Sequence, residues 1–212
     1  MIPIDVSVGH APEAGWQGAR SKCGLTEYSY AHTLLRPALQ DAFNLSQEYE
    51  PRWWDAGDHL EWRRVRKGNL LLLDRLKAMY SGTRAPTVAI ALHNNASRNT
   101  DYGGFMVIYR QEKDGRVDEK SKRLAELLCW ELARALPGMK NRGPQADQGD
   151  WVERNLAFTR WAHAHGTAGV IMELGFLTCP DDVAVLRDPA TPAKVAKALL
   201  SATQAYDRKE KK

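Results

Sequence analysis

The sequence predicts an α/β fold: a single domain with a twisted, mostly parallel mixed sheet flanked by helices. Short apolar, β-branched runs recur at Ile2 to Val8, Thr87 to Leu92, Gly104 to Tyr109 and Gly169 to Leu174. The longer stretches between them place apolar residues at helical spacing, and strands that alternate with helices imply parallel pairing through helical crossovers. No repeat, low-complexity tract or Pro/Gly/Ser linker divides the chain, so residues 1–212 are read as one domain with a charged, frayed tail from about Asp207.

Taken in order, Ile2 to Val8 is the opening strand, and a Gly- and Ala-rich loop follows from Gly9 to Gly24. Tyr28, Leu34, Leu35, Leu39 and Phe43 recur at near-helical spacing, so a helix is expected from Glu27 to about Asn44, kinked or broken at Pro37. Leu70, Leu73, Leu76 and Met79 form one stripe of a second helix over Asn69 to Tyr80, which stops near Gly82. The run Thr87 to Leu92 suits a buried strand, and Gly104 to Tyr109 reads as another between turn signals at Gly103-Gly104 and Asp114-Gly115. The helix pattern is clearest over Asp118 to Leu136, where Leu124, Leu127, Leu128, Leu132 and Leu136 share a face and Pro137-Gly138 ends it. Met139 to Asp150 is polar and reads as loop, with the option of a lid over a site. A helix is expected over Trp151 to His165, a strand over Gly169 to Leu174 and a turn around Cys179-Pro180-Asp181. The last helix is placed from Pro192 to about Tyr206 with Thr191 as its N-cap.

Composition narrows the function classes. With 43% hydrophobic and 26% charged residues the chain is an ordinary globular sequence, which excludes collagen-like and wholly disordered polymers. No apolar run approaches the roughly 20 residues of a bilayer span. Met1 to Asp5 lacks the basic start of a secretion signal, so synthesis in the cytoplasm is expected. The excess of 30 basic over 26 acidic residues favours an anionic partner without choosing among nucleic acid, acidic glycopolymer and membrane surface. Cys23, Cys129 and Cys179 are widely spaced, odd in number and without a CxxC pair, which reads as reduced thiols.

Polar, metal-capable residues sit where open α/β sheets build their sites, at the carboxyl ends of strands. These are Gly9-His10, His93-Asn94-Asn95-Ala96 and Glu173-Leu174-Gly175-Phe176, with Glu27 at the start of the first helix as a further carboxylate. Two histidines and a carboxylate on one edge would make a catalytic zinc triad with an open fourth position. Each residue also has a plain reading: a histidine satisfied within a loop, or an acid favoured by the helix dipole in the case of Glu27. Glu173 is different, because a carboxylate ending so apolar a strand is costly to bury unless paired or functional.

Several segments together resemble a known family: Val6 to His10, Glu27, Ala91-Leu92-His93-Asn94-Asn95-Ala96, Gly104 to Tyr109, Ser121 to Ala125, and Val170 to Thr178. In order and over nearly the whole chain, they resemble the zinc-dependent N-acetylmuramoyl-L-alanine amidases of bacterial division and phage endolysins. The resemblance implies that His10, Glu27 and His93 ligate one Zn2+ ion, that Glu173 is the general base and acid, and that Asn95 helps orient substrate. It implies hydrolysis of the amide between N-acetylmuramic acid and the L-alanine of the stem peptide. Peptidoglycan is then the partner and nucleic acid is not; a monomeric phage or prophage lysin that reaches the wall after release is expected. The first loop departs from the family pattern at Ala11-Pro12-Glu13, which makes Glu13 a rival to Glu27, and Cys179 stands where asparagine is common.

Three further features compete for a role. Trp53 to Lys67 interleaves aromatic and basic residues, as single-strand nucleic-acid binders do, though a partly buried Trp cluster with a solvated basic edge is the commoner explanation. His163 and His165 lie close in sequence to Glu173, and Cys23 is a soft ligand near Glu27. The rival functions are a zinc peptidase acting on wall peptides, a non-catalytic wall-binding module and a nucleic-acid binder.

Overall fold

The computed structural model describes residues 1–10, 12, 17–55, 76–77, 86–148 and 156–210. Six strands form one sheet in the order β2-β1-β3-β6-β4-β5. They are β1 (Ile2–Val8), β2 (Tyr49–Trp54), β3 (Val88–Asn95), β4 (Phe105–Tyr109), β5 (Asn141–Ala146) and β6 (Ala168–Phe176). β2, β1, β3 and β6 run parallel, β4 lies antiparallel to β6, and β5 runs with β4. The predicted mixed α/β sheet is therefore present, with its reversal confined to one side.

Two strands depart from the sequence reading, for one physical reason. Asn141–Ala146, expected to be loop or lid, is the edge strand β5, and β2 forms the opposite edge. Each carries a proline, Pro144 and Pro51, which an edge strand tolerates because one side of its backbone has no ladder to complete. The proline and the missing apolar alternation hide both strands. β3 and β6 also run past their expected ends, so His93 to Asn95 and Gly175-Phe176 stand inside strands.

The helix expected from Glu27 is continuous in three parts: α1 (Glu27–Ser29), a π-helical segment (Tyr30–Leu35) and α2 (Arg36–Ser46). Pro37 neither breaks nor ends it. The wider π turn ahead of the proline absorbs its missing N–H and the ring, and Gln47 at φ 52° terminates the helix in the left-handed region. α3 (Glu119–Ala135) matches its expectation. α4 (Ala157–Ala164) is the described part of the helix predicted from Trp151. Leu76 and Lys77 are helical, and the rest of the Asn69–Tyr80 prediction lies outside the described residues.

Where a turn was expected, Pro180–Arg187 forms α5, opened by a proline at its start and by Asp181 and Asp182 in its first turn. α6 covers Thr191–Glu210. Thr191 does not act as the predicted cap: its hydroxyl donates to the carbonyl of Val185, 2.7 Å away, and ties α5 to α6. α6 continues as far as Glu210 into the segment read as a frayed tail, and Asp207 within it is buried against Tyr49.

The larger core lies on one face of the sheet. Val6, Val8, Ile90, Leu92, Val107, Val170 and Met172 meet Leu39 and Phe43 of α2, Leu124, Leu128 and Leu132 of α3, and Leu199 and Tyr206 of α6. On the other face Ala89, Ala91, Ile108 and Ile171 pack against Leu76 and Phe158. That contact is close, since a Cβ on Gly169 would stand 2.1 Å from Ala162 Cβ. Among the described residues no helix is long and apolar enough to cross a membrane.

Candidate active site

Parallel pairing brings the carboxyl ends of β1, β3 and β6 to one edge, and the four predicted residues gather there. His93 and Glu173 are register partners across β3 and β6, so both side chains rise from the same face. His10 follows β1 with φ 63°, a left-handed conformation that a non-glycine residue adopts at some cost and that turns its ring toward Glu27. Glu27 is fixed at the head of α1 by a capping box in which Thr26 and Ser29 satisfy each other's backbone amides.

Glu27 is the centre of the arrangement. Its Oε2 lies 3.1 Å from His10 Nε2 and accepts from Ala19 N at 2.6 Å. Its Oε1 lies 3.2 Å from His93 Nδ1 and accepts from Asn94 N at 2.9 Å. The two imidazoles meet edge to face, with centroids 5.2 Å apart. Burial alone would raise the Glu27 carboxyl, but hydrogen bonds and charge from His10 and His93 outweigh it and hold the group well below the usual carboxylate range. One donor atom from each of His10, Glu27 and His93 lies within 4.8 Å of the others, a set able to hold a metal ion. Two imidazole nitrogens with one carboxylate oxygen is a donor combination that suits zinc.

Glu173 stands beside this cluster. Its Oε2 is buried and has no hydrogen-bond partner, and burial pushes its carboxyl up to about 7. A buried, unpaired carboxyl poised near neutrality can both take and give a proton.

Sequence reasoning missed the residues that make room for the cluster. A Cβ on Gly9 would stand 2.5 Å from the His93 ring, and one on Gly18 would stand 2.2 Å from Glu27 Oε2, so only glycine allows the ligands to close up. Asn94 is buried and donates through its amide to the carbonyl of Leu174, locking β3 to β6 beside the site. Its signal was a polar residue inside an otherwise apolar strand. Asp55, also unread, is wholly buried at the end of β2, where it accepts from Tyr28 and Arg36 and pairs with His32, bracing the helix that carries Glu27.

Other expectations fall elsewhere. Asn95 lies on the same edge, lining a pocket with Tyr102, Met106 and Phe176. His163 pairs instead with Asp118 and Glu112, at 3.4 and 3.7 Å, and His165 stacks on Trp161. Cys23 is exposed and outside the cluster, contacting Ser21 Oγ at 3.1 Å. All three cysteines are free thiols. Trp53 is half-buried under Arg36, whereas residues 56–67 of the aromatic and basic stretch, and Glu13, lie outside the described residues.

Comparison with known proteins bears on the whole chain. The sequence pattern of the N-acetylmuramoyl-L-alanine amidase family matches residues 6–205. No curated protein matches significantly. Among solved structures, the CwlD amidase of Clostridioides difficile, seen with the GerS lipoprotein, has a TM-score of 0.76 at 20% identity over 98% of this chain and 99% of that one. The catalytic domain of the CD27L endolysin, which targets Clostridia difficile, also has a TM-score of 0.76 at 20% identity, over 97% and 98% of the two chains. The amidase AmiC2 of Nostoc punctiforme reaches 0.70 at 16% identity over 98% and 97%. These likenesses are of fold.

Proposed function

The chain belongs to the N-acetylmuramoyl-L-alanine amidase family and is a peptidoglycan amidase, and we propose that it cleaves the bond between N-acetylmuramic acid and the stem L-alanine with one zinc ion held by His10, Glu27 and His93. The observation that carries this reading is the convergence of those three donors within 4.8 Å beside a buried, unpartnered Glu173 oxygen. Bound there, zinc would supply Lewis-acid polarisation of the scissile carbonyl.

The chain's own residues supply the rest. Glu173 takes the proton of the attacking water at Oε2 and delivers it to the leaving nitrogen, a dual task that suits a carboxyl near 7. Ala19 and Asn94 hold the Glu27 carboxylate in place through their backbone amides, and the left-handed turn at His10 aims its ring. Asn95, at the rim, orients substrate.

The reading extends to a lysin made in the cytoplasm, of phage or prophage origin and monomeric, that meets the wall after release. Its likeness to an endolysin catalytic domain supports this. The test is mass spectrometry of purified peptidoglycan digested by the zinc-loaded protein, with Glu173→Ala and chelated protein alongside. Stem peptides beginning at L-alanine, absent from both controls, are expected. Peptides cut internally would move the enzyme to the zinc peptidases, and products that survive chelation would remove the metal from the reading.

A further inference from the structure

One strand beyond Glu173, the same edge carries a pocket lined by Asn95, Tyr102, Met106 and Phe176, with the guanidinium of Arg142 stacked on its two aromatic residues. Met106 of β4 is the register partner of Glu173, which puts it on the same face. Between Glu173 and Phe176, β6 has one more residue than β3 has between His93 and Asn95, and Gly175 in that extra step has φ +79°. This bulge returns Phe176 to the face of Glu173 instead of the opposite one. Phe176 meets Tyr102 edge to face, with centroids 5.1 Å apart. Asp182 fixes both sides by accepting from Phe176 N and Gly104 N, each at 2.7 Å.

Arg142 of β5 stacks on the two aromatic residues of this pocket. Its guanidinium carbon lies 3.4 Å from the Tyr102 ring centroid and 5.6 Å from that of Phe176, and its Nε donates to the Gly103 carbonyl at 2.6 Å. Among the described residues no carboxylate pairs with it. Two aromatic faces and one carbonyl thus orient a planar, half-buried cation while its terminal nitrogens remain available as a bidentate donor. Asn95, whose Oδ1 accepts from Ala96 N, lines the pocket together with those two aromatic residues.

Resting on the amidase reading above, we propose that Arg142, assisted by Asn95, binds the free carboxylate of the second stem residue and so selects the stem peptide by charge. The placement follows from register. The Asn95–Phe176 pair lies two strand residues beyond the His93–Glu173 pair, or about 7 Å. An extended peptide advances about 3.4 Å per residue, so a group two residues beyond the scissile amide reaches this level. In peptidoglycan that residue is a glutamate joined through its side-chain carboxyl, which leaves its α-carboxylate free, or amidated in some walls.

The test compares soluble muramyl tripeptides that differ only in a free or amidated α-carboxyl at the second residue. The zinc-loaded enzyme is expected to prefer the free acid by about tenfold to a hundredfold in kcat/KM, the size of a charge-assisted pair. Arg142→Ala removes the preference by raising KM for the free acid, leaves kcat and the amidated substrate within about threefold, and Arg142→Lys restores part of it. Amidating the terminal carboxyl instead leaves the rate within about twofold. Equal rates of the wild type on acid and amide overturn the proposal without using any variant. An Arg142→Ala loss shared equally by both substrates also overturns it, as does a preference that follows the terminal carboxyl. If the wild type frees no stem peptide from either substrate, the amidase reading itself falls and takes this proposal with it.

Discussion

Gly18 and Glu27 share a space that admits no side chain on the first. A Cβ at Gly18 would stand 2.2 Å from Glu27 Oε2 and 2.6 Å from His10 Nε2, and the residue has φ +74°. Gly18→Ala is therefore expected to push Glu27 off the two histidines. Zinc affinity should fall by at least tenfold in a chelator competition, with a stability loss of about 1–3 kcal/mol from the strained backbone. Unchanged affinity would mean that the loop shifts without disturbing the donors.

Glu173→Gln keeps the shape of the site and removes the proton carrier. The amidase rate should drop by about 10²- to 10⁴-fold while zinc content stays the same, as measured by product release and by metal analysis of the purified variant. Near-normal turnover would assign the proton transfer to another group.

The same carboxyl predicts a pH dependence in the chelated protein. Burial raises Glu173 from 4.5 to about 7. Between those values the folded state keeps a proton that the unfolded chain releases, so stability is full below 4.5 and declines as pH rises to 7. The total is on the order of 3 kcal/mol. Glu27 moves the other way, and its lowered carboxyl weakens the fold only as pH falls below 4.5. Urea unfolding across pH 4.5 to 7.5 should show a decline in the chelated wild type that is absent from Glu173→Gln; parallel profiles would disprove it.

Asp55 carries the largest predicted stability effect outside the catalytic edge. Tyr28 Oη and Arg36 Nη1 donate to it, each at 3.1 Å, and His32 pairs with it. Asp55→Ala leaves these groups without their shared acceptor, and unfolding in urea should show a loss of about 3 kcal/mol. A change below about 1 kcal/mol would show that water replaces the carboxylate.

Why His10, Glu27, His93 and Glu173 were legible follows from topology. Three of them end apolar runs and one opens a helix, and parallel strands must deliver such positions to one edge. Gly9, Asn94 and Arg142 meet distant parts of the chain, as when Asn94 meets Glu27 from 67 residues away, and Gly18 meets His10 and Glu27 across the folded first loop. No local pattern encodes such a meeting. β2 and β5 were hidden by the prolines that suit them to the edges, and α5 by its brevity beside a turn-like Cys-Pro-Asp. Pro37 leaves the first helix unbroken because a π turn precedes it, a local widening that the spacing of apolar residues does not encode.

The reversal of β4 and β5 divides the labour of the cleft. Strands running with β6 would deliver their ends to this edge; β4 and β5 deliver their beginnings instead, setting Met106 opposite Glu173 and Arg142 over the Tyr102 ring. His10, Glu27 and His93 come from the end of β1, the start of α1 and β3, whereas the pocket beyond them is lined by Asn95 at the end of β3 and by residues that follow it. On the proposed reading, exchanges in the 96–104 connection change the lining of this pocket and leave His10, Glu27 and His93 in place.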